Sequence, residues 1–156
     1  MHHSPTAGVH ALTSAVVDGA ADDAITGVEV VVRPALEATA EDVLASDGVI
    51  LGTSANFGYM SGALKHFFDS TFLQIGGQLD EGGGGAATSA PAALPYGLYV
   101  HGRYDVTGAV RSVGSIVGAL PWRRVAPVLE VLGEVDDAAL ESAYDLGGTV
   151  AALLMD

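Results

Sequence analysis

The apolar run VILGT at residues 49–53 limits the fold of this chain more than any other feature. A short run that is apolar at every position is typical of a strand buried on both faces, as in a parallel sheet covered by helices. Three further segments read as strands: the β-branched run VEVVVRP at 28–34, YGLYV at 96–100, and some part of WRRVAPVLEVLG at 122–133.

Helical patterns separate these strands. Apolar residues recur at helical spacing over 9–21, 59–72 and 106–120, and a short helix over 37–46 has Thr39 as its N-cap. Asp136 or Asp137 caps a last helix that runs to about Met155. This alternation predicts the α/β class, with a doubly wound parallel sheet and helices on both faces. Such domains begin with a strand, and this chain begins in the loop after it, so we expect the first strand to be missing.

Composition excludes several classes of function. The 156 residues predict one domain, 1–156. The absence of cysteine excludes disulfides and thiolate chemistry. The formal net charge of −13 argues against nucleic acid and anionic membranes as partners. No apolar run is long enough to cross a bilayer and no secretory signal is evident, so we expect a cytoplasmic protein.

Three loops follow predicted strand positions at the edge where open parallel sheets bind ligands. The first, residues 2–10, offers the hydroxyls of Ser4 and Thr6, a glycine at Gly8 and a helix start that attracts anions. Its alternative interpretation is an ordinary helix cap.

The second loop, residues 53–62, contains Asn56 for a polar ring edge and Phe57 and Tyr59 to flank a flat ligand. Alternatively, Phe57 lies in the core. The third, residues 101–108, contains Arg103, which could neutralise an anion; alternatively it forms a weak surface pair with Asp105, or Asp105 simply caps a helix.

Other candidates are weaker. His2, His3 and His10 resemble a metal cluster only superficially, since adjacent side chains of an extended segment face opposite ways, and we expect no metal site. A hydrolase would need a nucleophile elbow, which is absent, so Ser54, His101 and Asp105 form only a conceivable triad. We expect Lys65 on the surface and Trp122 in the core.

The segment DGVILGTSANFGYMSGALKHFFDSTF, residues 47–72, resembles the central part of flavodoxin-like FMN-binding proteins, most closely the NAD(P)H-dependent FMN and quinone reductases. Residues 4–12, SPTAGVHAL, are similar to the phosphate loop of that family. That loop usually ends in Gly-Asn-Thr, and here Gly8 and Val9 stand at the Asn and Thr places. The resemblance covers nearly the whole chain and implies the flavodoxin-like strand order 2-1-3-4-5.

The resemblance also implies FMN as cofactor and a set of contacts. Four residues would hold the FMN phosphate: Ser4, Thr6, Gly8 and Val9. Five would line the isoalloxazine ring: Ala55, Asn56, Phe57, Gly58 and Tyr59. Four would close the third side: His101, Gly102, Arg103 and Tyr104.

The implied activity is electron transfer from NAD(P)H through FMN to a quinone, a flavin or a similar acceptor. The flavin carries this chemistry, so no protein residue is expected to be catalytic, although Arg103 could stabilise the reduced flavin or attract a nicotinamide phosphate. Two alternatives stay open: a flavodoxin-type electron-transfer module, favoured by the charge of −13, and a degenerate member that binds no flavin. Expected partners are a small-molecule acceptor or a redox protein, and a second copy of the chain.

Overall fold

The computed structural model describes residues 1–83 and 94–155. Its helices within these ranges are α1 (Ala7–Ala20), α2 (Ala40–Leu44), α3 (Gly62–Thr71), α4 (Thr107–Val117) and α5 (Asp137–Ala152). Its strands are β1 (Val49–Asn56), β2 (Tyr59–Met60), β3 (Leu94–Gly102), β4 (Trp122–Arg124) and β5 (Leu129–Leu132). No helix of the described ranges has the length and apolar character needed to cross a membrane.

The sheet is built around β1 and β3, which pair in parallel from Val49 against Tyr96 to Ser54 against His101. β3 pairs in parallel with β4 near its start and with β5 near its end. The predicted last strand is therefore split into two short strands. Pro127 lies between them and lacks the N–H that a continuous ladder would need.

Residues 1–3 correct the expectation that the chain begins after its first strand. His2 forms parallel bridges with Pro34 on one side and with Gly52 of β1 on the other. His2 thus takes the central place in the sheet, and the order across it is Pro34, His2, β1, β3, β5. This is the expected 2-1-3-4-5 order, so the flavodoxin-like α/β fold is confirmed.

The predicted strand at 28–34 is wrong in one respect. The segment is not paired as a strand, and only Pro34 takes part in a bridge. A strand needs a hydrogen-bonded neighbour, and within the described ranges Pro34 is the one residue of this segment that has one, through its bridge to His2.

Helices cover both faces of the sheet. On one face α1 and α5 bury an apolar cluster with β3: Val9, Leu12, Val16, Tyr99, Ala143, Leu146 and Val150. On the other face α2, α3 and α4 bury a larger one that includes Val43, Leu64, Phe67, Phe68, Val113 and Val117. Trp122 also lies there, 7% exposed, as expected for a core residue.

The helix caps follow the sequence closely. Thr39 begins α2 with a reciprocal capping box to Asp42, and Asp136 accepts the Ala139 amide at the start of α5. The helix predicted from residue 59 begins later, because Tyr59–Met60 forms β2 and Ser61 caps α3. Of the predicted glycine-rich loop at 76–95, residues 84–93 lie outside the described residues.

Candidate functional site

The three predicted loops meet at the carboxyl edge of the sheet. A Cβ added to Gly8 in the first loop would lie 3.1 Å from Cε1 of His101 in the third. A Cβ added to Gly58 in the second loop would lie 3.9 Å from Oδ2 of Asp105. The carbonyl of Gly58 also packs directly against Gly108, at the start of α4, where any side chain would overlap it.

The first loop ends in a helix start with free donors. Thr6 caps α1, and its Oγ1 accepts the Val9 amide at 3.4 Å. Within the described ranges, the amides of Thr6, Ala7 and Gly8 have no hydrogen-bond acceptor. The side chain of Val9 is fully buried in the core, so this residue faces the loop only with its backbone.

Ser4 is held by a network of hydroxyl groups that extends into the core. Oγ1 of Thr13 donates to the Val9 carbonyl at 2.9 Å, and lies 2.6 Å from the hydroxyl of Tyr99 and 2.7 Å from Oγ of Ser4. Because the single proton of Thr13 goes to Val9, the other two hydroxyls donate to Thr13. Nδ1 of His2, 2.9 Å from Oγ of Ser4, then donates to it. The Ser4 proton therefore points toward α1. Burial raises the pKa of Tyr99 to about 12, which keeps its hydroxyl protonated.

The second loop is a tight hairpin rather than a simple turn. β1 and β2 pair antiparallel, with Asn56 opposite Tyr59. The two residues between them have positive φ, 51° at Phe57 and 75° at Gly58, as in a type I′ turn. This conformation is costly for a bulky residue. The Phe57 side chain is nevertheless fully exposed, which rules out the core alternative.

Two hydroxyls lie just below this hairpin. Oγ1 of Thr53 accepts the amide of Ser61 at 3.0 Å and so fixes the exit of the hairpin. Oγ of Ser54 is buried and has no hydrogen-bond partner in the described part of the chain. Ser54 pairs with His101 in the sheet and belongs to the predicted second loop, residues 53–62, yet it was not among the predicted ligands. Ser54 lies near the carboxyl end of β1, where parallel sheets bind ligands, and this position in the sequence could have identified it as a candidate ligand.

The third loop is fixed by a contact that was not predicted. Nε2 of His101 lies 2.9 Å from the carbonyl of Gly133, to which it donates. The Nδ1 atom faces the first loop, 3.6 Å from the position of a Cβ on Gly8. Cγ2 of Val135 lies 3.1 Å from the same Cβ position, so a fourth loop, residues 133–135, belongs to this edge. This loop follows β5. The rule that ligands bind beyond the carboxyl ends of parallel strands, which located the other three loops, therefore also predicts this one.

The exposed end of the third loop presents a cation and a phenol ring. The guanidinium of Arg103 lies 5.8 Å from the centre of the Tyr104 ring, and its Nε donates to the Tyr104 hydroxyl at 3.2 Å. Asp105 instead accepts the Thr107 amide at 2.9 Å, and this hydrogen bond lowers the pKa of its carboxyl group. The alternative pair of Arg103 with Asp105 is therefore not formed, although Asp105 does bind the first turn of α4, whose N-cap is Val106.

The remaining predicted ligands occupy the same edge. Gly102 is buried, and a Cβ there would lie 2.8 Å from Cγ1 of Val106. Ala55 is half-buried, whereas Asn56 is exposed. Tyr59 is 46% exposed beside the hairpin tip.

The weaker candidates have structural roles. His101 and Asp105 are bonded to Gly133 and Thr107, so they do not form a triad with Ser54. Lys65 forms an exposed ion pair with Asp69 on α3, with 2.6 Å between Nζ and Oδ1. Within residues 1–83 and 94–155 no group of three His, Cys, Asp or Glu side chains could hold a metal ion.

The strand order and the loops at the carboxyl edge define a flavodoxin-like protein. Solved flavodoxins share this fold. One from the domain Archaea has a TM-score of 0.75 at 16% identity, covering 98% of this chain and 94% of its own. One from Streptococcus pneumonia TIGR4 has a TM-score of 0.74 at 18% identity, covering 97% and 95%.

The chain belongs to the NADPH-dependent FMN reductase family, whose model matches residues 10–130. It is also 32% identical to a flavodoxin of Aquifex aeolicus (strain VF5) over 80 residues, which are 51% of this chain and 42% of the relative. The matched region thus spans less than half of that flavodoxin. The resemblance stated from residues 47–72 is confirmed.

Proposed function

We propose that this chain binds FMN at the carboxyl edge of its sheet and passes electrons from NAD(P)H to a quinone, a flavin or a similar acceptor. Membership of the FMN reductase family supports the reaction class. The structural observation that carries the proposal is Phe57, an aromatic side chain that a strained turn holds fully exposed beside the meeting loops. Backbone strain of this kind is concentrated at functional sites.

The residues of the edge fit the parts of FMN. The free amides of Thr6, Ala7 and Gly8 can hold a phosphate, because a helix start offers both donors and positive potential. The unpartnered Oγ of Ser54 can serve the ribityl chain. The exposed rings of Phe57 and Tyr59 offer flat faces to the isoalloxazine.

Bound FMN supplies the hydride and electron chemistry. The protein residues then have to bind and orient the flavin and adjust its reduction potential. Asn56, exposed at the end of β1, can offer its amide to the polar edge of the ring. Arg103 is exposed and has no carboxylate partner in the described ranges, so its charge can attract a nicotinamide phosphate or balance a reduced ring.

A second candidate is an electron-transfer module without NAD(P)H chemistry. The net charge of −13 favours it, since acidic surfaces dock onto basic redox partners. The flavodoxin relative supports it as well. Under either function we propose a cytoplasmic protein that binds neither nucleic acid nor membrane, and whose copies associate to complete the site.

The test is an FMN titration followed by flavin fluorescence, and then anaerobic mixing of the loaded protein with NADPH or NADH. Quenching with a saturable endpoint followed by loss of flavin absorbance supports the reductase. Saturable quenching without reduction favours the electron-transfer module. No quenching overturns both and leaves a member that binds no flavin. Phe57→Leu is the matched variant, since it keeps an apolar side chain but removes the ring.

A further inference from the structure

The imidazole of His101 lies against the first turn of α1, where backbone amides are free. A Cβ added to Gly8 would lie 3.1 Å from Cε1 and 3.6 Å from Nδ1 of this ring. The amide nitrogen of a residue is about 2.5 Å from its own Cβ position, so Nδ1 and the Gly8 amide are at most about 6 Å apart. Oxygens of one phosphate group that each bind a nitrogen at about 2.9 Å can span that distance. A single phosphate can therefore contact the helix start and His101 together.

The second nitrogen of the ring determines what Nδ1 can do. Nε2 lies 2.9 Å from the carbonyl oxygen of Gly133, which can only accept, so Nε2 carries a proton. In a neutral imidazole Nδ1 then has only a lone pair, which would face the oxygens of a phosphate with no proton between them. A hydrogen bond between Nδ1 and a phosphate therefore needs one further proton.

A buried hydroxyl next to the ring indicates a ligand at the same place. Ser54 pairs with His101 across β1 and β3, just as Gly52 pairs with Tyr99 two residues earlier. Tyr99 reaches Thr13, so these residues lie on the face of the sheet that α1 covers. Ser54 is 6% exposed, and its Oγ has no hydrogen-bond partner in the described part of the chain. Buried polar atoms are nearly always paired, so a ligand at this place would supply the missing contact.

The first loop has no strong cation to balance a phosphate, since residues 2–10 contain neither lysine nor arginine. The hydroxyl of Ser4 donates to Thr13 and is not available as a donor. Six titratable or charged side chains lie within two residues of His101 or of the residues that its ring contacts: His10, Tyr99, Arg103, Glu134, Asp136 and Asp137. None of them makes a hydrogen bond or an ion pair with His101 within residues 1–83 and 94–155. The ring of His101 is therefore the contacting group that can supply positive charge by taking up a proton.

We propose that His101 binds the phosphate of FMN through Nδ1, and that FMN binding takes up one proton at this contact. This inference rests on the proposed FMN site and deepens it. The proton lies between Nδ1 and a phosphate oxygen, where it forms a charge-assisted hydrogen bond. Histidine side chains and phosphate monoesters ordinarily titrate near about 6.5 and about 6, so at pH 7.5 this proton has to come from the solvent.

The test is isothermal titration calorimetry with FMN and with riboflavin, in two buffers of different ionisation enthalpy at about pH 7.5. Riboflavin has the same ring and ribityl chain but no phosphate. We expect uptake of close to one proton for FMN and none for riboflavin. FMN affinity should accordingly fall by up to about tenfold per pH unit above about pH 7, while riboflavin affinity stays constant. FMN binding without proton uptake would overturn this proposal and leave the proposed function intact. Binding of neither flavin would overturn both.

Two variants separate the role of Nδ1 from the bond to Gly133. His101→Gln places its amide where Nε2 lies, so it keeps a donor for Gly133 and has no group at the position of Nδ1. We expect it to bind FMN about tenfold more weakly, to bind riboflavin unchanged and to take up no proton. His101→Asn places its amide near the position of Nδ1. We expect an FMN affinity between those of the parent and the glutamine variant, also without proton uptake.

A purely structural role of His101, through Gly133, predicts the opposite order. The glutamine variant would then bind both flavins as the parent does, and the asparagine variant would bind both more weakly. That result would overturn the proposal. Circular dichroism shows whether the two variants fold, and the proton uptake of the parent chain tests the proposal without either of them.

Discussion

The hydroxyl of Tyr99 lies 2.6 Å from Oγ1 of Thr13, and this buried contact joins β3 to α1 across 86 residues of sequence. Ser4, at the start of the first loop, donates to the same oxygen at 2.7 Å. The loop that would receive the FMN phosphate is thereby fixed to the sheet rather than only to its own helix. The Thr13 hydroxyl thus binds one residue of the core, Tyr99, and one residue of the candidate site, Ser4.

Thr13→Val should destabilise the protein by about 1–3 kcal/mol, because it removes the acceptor of the buried Tyr99 hydroxyl and of the half-buried Ser4 hydroxyl. Thr13→Ser keeps Oγ and is the matched control. Urea unfolding measures both. If the valine variant is as stable as the serine variant, the Thr13 hydroxyl and its hydrogen bonds do not contribute to the free energy of unfolding.

Gly52→Ala should be among the most destabilising single-methyl additions. The new Cβ would overlap the ring of Tyr99, and β1 cannot move away because it is paired with β3 on one side and with Met1–His3 on the other. Overpacking of this kind costs about 1–3 kcal/mol or more. Gly62→Ala, whose Cβ meets nothing within 4 Å, should be neutral or slightly stabilising. Comparable losses in the two variants would contradict the overlap.

Local signals predicted the elements that depend on local chemistry. The caps of α2 at Thr39 and of α5 at Asp136 are side chain to backbone contacts within three residues, so the sequence shows both partners. The buried run of β1 was equally clear, because apolar residues fill both of its faces. The segment 28–34 has the same β-branched character, but a strand also needs a partner, and that partner is not visible in the segment itself.

The sequence predicted where the candidate site lies, but it did not predict the backbone conformation and hydrogen bonds within the site. Strand ends located all three loops because the edge rule depends only on topology. The turn SANFG was evident, yet the positive φ of Phe57 follows from the pairing of Asn56 with Tyr59 in the hairpin. The bond from His101 to Gly133 joins residues 32 apart, and no local pattern records it.

Phe57→Asn should raise stability and weaken FMN binding together. Asparagine tolerates positive φ at this turn position, so relief of strain should stabilise the protein by about 1 kcal/mol. Loss of the exposed ring should weaken FMN affinity about tenfold if it stacks on the flavin. Urea unfolding and FMN titration measure the two effects. Unchanged affinity would remove Phe57 from the proposed site.

Arg103→Gln should reduce the rate of NADPH oxidation by the FMN-loaded protein more than that of NADH. The guanidinium is exposed and contacts Tyr104, so the glutamine variant should fold normally. NADPH has the additional phosphate, and an exposed charge acts on it mainly at low salt, where the screening length is longest, roughly 30 Å at 0.01 M. Arg103→Lys is the control that keeps the charge. An equal reduction for both nucleotides would rule out phosphate recognition by this residue.

The stability of the protein should fall as the pH rises through the pKa of Tyr99. In the unfolded chain a tyrosine titrates near about 10. In the fold, burial raises the pKa of Tyr99 to about 12, so the native state retains a proton that the unfolded state releases. The contribution of Tyr99 to the free energy of unfolding is therefore fully present below about pH 10 and is lost between about pH 10 and 12. The pKa values of Tyr96, through burial, and of Tyr144, through its hydrogen bond to Asp22, are also raised and act in the same direction.

The contribution of Tyr99 is isolated by comparison with Tyr99→Phe, which cannot titrate at this position. Urea midpoints measured from neutral to alkaline pH should decline less steeply for the phenylalanine variant than for the parent chain. The variant should also be less stable at neutral pH, because it lacks the donor to Thr13. Parallel declines of the two proteins above about pH 10 would show that Tyr99 titrates as an exposed tyrosine does.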